Sequence, residues 1–113
     1  MFDGGYAVLD LTKLNTIQIS AIMAGFAAQI DDSMADEAFR VAKSGKLLLC
    51  NLPHGASEGF TGHSYCVLLE SPEVKNDGKR VLFYVNIGGE FKCLKINRFN
   101  NTWELSLIDP EEA

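Results

Sequence analysis

Three side chains between Pro53 and His63 have the types needed to hold a divalent cation: His54, Glu58 and His63 would offer two imidazoles and a carboxylate. Their segment carries Gly55, Gly59 and Gly62, so nothing local pre-orients the ligands, and the spacing reads as a solvated loop. No metal or other cofactor is expected. A thiol–imidazole pair could be drawn from Cys50 or Cys66 with His54 or His63, but a reactive thiolate needs an electropositive setting and the neighbours are leucines and valines. All three cysteines, Cys50, Cys66 and Cys93, are therefore expected as buried free thiols. Lys43-Ser44-Gly45-Lys46 contains the letters of a phosphate loop in the wrong order and reads as a helix end entering a strand.

Asp32-Ser33-Met34 has a different chemical content, because a serine beside small polar residues can serve as a nucleophile when a lysine accepts its proton. The tripeptide resembles the Gly-Asp-Ser-Met motif of LexA-type self-cleaving repressors, and the resemblance implies Ser33 as nucleophile and Lys95 as its base. Ala24-Gly25 resembles the dipeptide that such proteins cleave. Asp31 or Asp32 stands where that family has glycine, and Ser33 lies between two helical patterns, where serine serves as an N-cap. The autoprotease is accordingly the alternative reading, and the cap is the leading one.

The elements that must position these residues follow from composition and pattern. The chain has 113 residues, the size of one domain, and 47% hydrophobic against 22% charged residues places it in the globular range. Ten basic and fifteen acidic residues give a net charge of −5, so there is no basic surplus to neutralise nucleic-acid phosphates. The apolar run from Ile17 to Ile30 is shorter than the roughly 20 residues that a membrane helix needs. The first 12 residues lack the basic leader of a secretory signal, so cytoplasmic synthesis is expected.

Tyr6–Leu11 reads as a first strand. Asn15 and Gln18 form a capping-box pattern, and Ile19, Ile22, Met23, Phe26 and Ile30 fall on one stripe of the helix that follows. Ser33 begins a second helix with Ala35, Ala38, Phe39 and Ala42 on its apolar face, closed by Gly45. From Lys46 the pattern turns to five strands: Lys46–Leu52, His63–Glu70, Lys79–Ile87, Phe91–Asn97 and Thr102–Ile108. Asn76-Asp77-Gly78, Gly88-Gly89 and Asn100-Asn101 supply the turn chemistry between the last four. The first of these strands is apolar on both faces and is expected to lie centrally under the helices.

The expected fold is therefore one α+β domain over 1–113: an N-terminal strand, two helices, then a five-stranded antiparallel meander packed on the helices. The order from Tyr6-Ala7-Val8-Leu9-Asp10-Leu11, through Val41-Ala42-Lys43-Ser44-Gly45-Lys46, to Asn101-Thr102-Trp103-Glu104-Leu105 resembles small modules encoded by phages and prophages of gut bacteria. That resemblance implies a virion or tail-fibre association and a non-enzymatic role in assembly or attachment, and it carries no catalytic residue across. The contact surface is expected at His54, Glu58, Phe60 and His63 on the loop and at Tyr65, Arg80 and Tyr84 on the outer sheet, with a protein partner or a homo-oligomer joined through the first-strand edge. An acidic inhibitor of a basic host protein is a further alternative.

Overall fold

A computed structural model describes residues 6–30, 32–51, 64–99 and 102–113. In chain order these form strand β1 (Tyr6–Val8), a 3-10 turn (Leu11–Lys13), helices α1 (Thr16–Gln29) and α2 (Asp32–Lys43), then strands β2 (Lys46–Asn51), β3 (Ser64–Glu70), β4 (Glu73–Lys75), β5 (Arg80–Ile87), β6 (Glu90–Phe99) and β7 (Thr102–Ile108). A second 3-10 turn covers Pro110–Glu112. The architecture is α+β, with two helices set against two sheets.

The N-terminal strand stops at Val8 instead of reaching Leu11. Asp10 ends it, because its Oδ1 accepts from both the Thr12 N–H and the Thr12 hydroxyl, at 3.0 and 2.7 Å, and starts a 3-10 turn. Those two bonds hold the Asp10 carboxyl below the usual carboxylate range. The capping box forms as expected: Gln18 N–H donates to Asn15 Oδ1 at 2.9 Å and Asn15 N–H donates to Gln18 Oε1 at 3.0 Å. Ile19, Ile22 and Met23 are buried, and Phe26 packs partly buried beside them. Helix α2 begins at Asp32, so Ser33 sits in the first turn and not before it. Ala35, Phe39 and Ala42 are buried on the face the pattern assigned.

The expected five-stranded meander divides into two sheets. One has the order β1-β3-β2, with β1 parallel and β2 antiparallel to β3; the other is the antiparallel series β4-β5-β6-β7. The break falls at Ser71-Pro72. Ser71 adopts a positive φ of 56°, and Pro72 has no N–H to offer a ladder, so the chain leaves the first sheet there and begins the second at β4. Strand β4 was not anticipated, since its three residues are all exposed and two are charged. Strand β2, expected centrally, is an edge of its sheet. Its apolar character has another origin: Leu47 and Leu49 are buried in the core beneath the helices, while Leu48 on the opposite face is exposed beside its cross-strand partner Leu68.

Both sheets turn their inner rows toward α1 and α2. Leu47, Leu49, Val67 and Leu69 from the first sheet and Val81, Phe83, Ile87, Leu94 and Ile96 from the second share one core with Ile19, Ile22, Met23 and Phe39. Each such burial contributes about 1.5–3 kcal/mol to stability before the ordering entropy is subtracted. Arg98, on the inner face of β6, reaches across to α2 and donates from Nε to Asp36 Oδ1 at 2.9 Å. Phe26 meets Trp103 edge-on with ring centroids 5.9 Å apart, which links α1 to β7.

Cys50 and Cys66 are not free thiols. The β2–β3 register sets them directly opposite one another, and their sulfurs form a disulfide. They stand sixteen positions apart in sequence, so only strand pairing reveals the match. Cys93 remains a free, buried thiol. Closing a loop of this length is worth about 3 kcal/mol. Urea unfolding with and without reductant is therefore expected to differ by about that amount; superimposable curves would show that the bond does not form in solution.

Candidate protein-binding face

The outer face of the β4–β7 sheet carries Arg80 and Tyr84 of the expected contact surface. Alternation along β5 places Val81, Phe83 and Ile87 inward and Arg80, Leu82, Tyr84 and Asn86 on the opposite face, where Leu82 is fully buried and Tyr84 and Asn86 are exposed. The Gly88-Gly89 turn, with both residues at positive φ, pairs Ile87 with Glu90 and so brings Asn86 opposite Phe91 and Tyr84 opposite Cys93. Tyr84 and Phe91 are thus diagonal neighbours on one face. Their rings lie 6.1 Å apart and within 14° of parallel, at 37% and 59% exposure.

A polar ladder frames this pair. Arg80 Nε donates to Asn97 Oδ1 at 2.9 Å, Asn97 Nδ2 donates to Glu104 Oε1 at 3.1 Å, and Lys95 Nζ lies 3.9 Å from the same Glu104 oxygen. On the β4 side Tyr84 OH makes a long 3.4 Å contact to Glu73 Oε1, which also pairs with Lys75 at 3.2 Å. Burial, together with the Glu73 charge, pushes the Tyr84 phenol above its usual range. On the other side of the sheet, at the foot of β6, Lys92 Nζ donates to Asp109 Oδ1 at 2.7 Å, and that bond raises the Lys92 ammonium. Exposed ion pairs of this kind contribute about 0–1 kcal/mol each, so their consequence here is orientation more than stability.

Arg80 and Tyr84 are brought together as the alternation implies. Tyr65 is not with them: it lies in β3 of the other sheet, opposite Asn51 and Ala7. His54, Glu58, Phe60 and His63 fall outside the described residues. Phe91 and Glu104 on the surface, and Asn97 buried between Arg80 and Glu104, were missed, although the two-residue Gly88-Gly89 turn fixes the β5–β6 register and would have placed Phe91 beside Tyr84. Asn97, 3% exposed, needs its partners Arg80 and Glu104 on either side to be buried at all.

The alternative pairing of Ser33 with Lys95 meets a topological obstacle. Arg98 shows which side of β6 faces α2, and Lys95, three residues earlier, projects to the other side, where it leans on Glu104. Burial raises the Cys93 thiol, on the same outer face, above its usual value. Among the described residues no three His, Cys, Asp or Glu side chains are grouped to hold a metal ion, and no helix is long and apolar enough to cross a membrane. No family model matches the sequence, and neither the curated proteins nor the solved structures contain a match to it.

Proposed function

We propose that the chain is a non-enzymatic binding module of phage or prophage origin, acting in protein–protein assembly or attachment through the outer face of the β4–β7 sheet. The observation that carries this reading is the exposed Tyr84–Phe91 pair inside a frame of oriented charges. Aromatic rings bury large areas for little lost side-chain freedom, and a polar rim around them excludes water from the contact. The resemblance in element order to phage-encoded modules supports assembly over catalysis. Acidic side chains are spread over α2, β3, β4 and β7, which gives the inhibitor reading no single face to use.

Phe91→Asp removes the more exposed ring of the pair without touching the core and tests the proposal. Capture of a partner from the source cells, quantified by mass spectrometry, is expected to fall by at least about tenfold relative to the unaltered chain, as for a contact worth more than about 1.4 kcal/mol. Tyr84→Ala should lose the same partner. An unchanged set of captured proteins for both variants would remove the sheet face from consideration.

A further inference from the structure

The four-stranded sheet ends in two very different edges. Strand β4 is protected: it is three residues long, and two of them, Glu73 and Lys75, are charged. Strand β7 is seven residues long, contains one charge, Glu104, and among the described residues pairs on one side only, with β6. Alternate residues of β7 therefore direct backbone N–H and C=O groups outward, and among the described residues none of these groups bonds elsewhere in the backbone. Beside this edge runs a groove of about 320 Å³ between α1 and β7, lined by Ser20, Met23, Ala24 and Ala27 of the helix and by Leu105, Ser106 and Leu107 of the strand.

We propose that two copies of this chain join through β7, antiparallel, fusing their four-stranded sheets into one of eight strands. This goes beyond the binding face described above and uses the β7 edge of the same sheet, sharing Glu104 with that face. The occupant that suits the groove is a strand with apolar residues on its α1 side and polar residues on the other. Strand β7 is such a strand, with Trp103, Leu105 and Leu107 inward and Thr102, Glu104 and Ser106 outward.

Charge selects the register. Full overlap places the twofold axis at Leu105 and sets Glu104 of each copy opposite Ser106 of the other, so the single charge meets a hydroxyl. Sliding by one residue pair in one direction would oppose Glu104 to Glu104, and in the other direction would oppose it to Ile108.

Light scattering on a sizing column, from micromolar concentrations to about 1 mM, is expected to show a mass rising from 12.4 kDa toward twice that value. Ser106→Glu sets carboxylates against each other on both sides of the junction's axis and should weaken the dimer about tenfold, while Ser106→Lys, which sets an ammonium opposite each Glu104, should strengthen it. Phe91→Asp should leave the dimer intact, so its failure and that of the binding-face reading are distinguishable. A single-chain mass at every concentration would overturn the proposal, including in favour of a foreign strand on the same edge. So would a dimer that persists in a folded Ser106→Glu chain. If that variant does not fold, amide exchange in the unaltered chain decides: protection along Thr102–Ile108 must rise with concentration, and a constant profile overturns the junction.

Discussion

Gly88→Ala is expected to destabilise the protein by about 4 kcal/mol, through one methyl group. Gly88 has a φ of +59°, and a Cβ built on it would stand 2.4 Å from the Leu14 carbonyl oxygen. That oxygen belongs to backbone held immediately before the Asn15 capping box, so it has no soft degree of freedom by which to retreat. The adjacent Gly89 separates the two costs. It also has a positive φ, +94°, but nothing lies within 4 Å of its Cβ position, and Gly89→Ala should cost only about 1–2 kcal/mol. Urea unfolding of the two variants measures the difference. Equal losses would mean that the β5–β6 turn does not nest against the start of α1.

Phe83→Ala should rival that loss, at about 3–5 kcal/mol, because truncation removes transfer energy and leaves a cavity that close packing fills only in part. Phe83 is fully buried, stands opposite Leu94 and belongs to the core that both sheets share with the helices. Phe83→Leu, which keeps most of the volume, should cost less than about 1.5 kcal/mol. Measured by urea unfolding, a small loss on truncation to alanine would place Phe83 outside the core. The same series separates folding from binding: the exposed Phe91 should change stability by about 0.5 kcal/mol or less when replaced, which makes it a clean probe of the sheet face.

Where local physics suffices, the elements were legible before any coordinates. The Asn15–Gln18 box, the Ile19, Ile22 and Met23 stripe and the Ala35, Phe39 and Ala42 face depend on spacings of three and four along one helix, and the structure has them as read. The inward row of β5 follows from alternation, and so does the outward position of Tyr84. Legibility ended where partners distant in sequence decide the outcome. Leu11 reads as strand until Asp10 binds Thr12, and the strands from Lys46 onward read as one meander until Ser71 and Pro72 interrupt the ladder.

The sequence by itself determined the α+β class, the two helices with their buried faces and the turn chemistry at Asn76-Asp77-Gly78 and Gly88-Gly89, since each depends on side-chain period and on which residues accept a positive φ; the Asn100-Asn101 turn lies outside the described residues. Only the tertiary structure decided that Cys50 faces Cys66, that β2 is an edge, and that Phe91, Asn97 and Glu104 gather around Tyr84 and Arg80. Those outcomes depend on register between strands. A shift by one residue exchanges the two faces of a strand at no change in its local pattern, so the choice is made by the packed core and not by the strand alone.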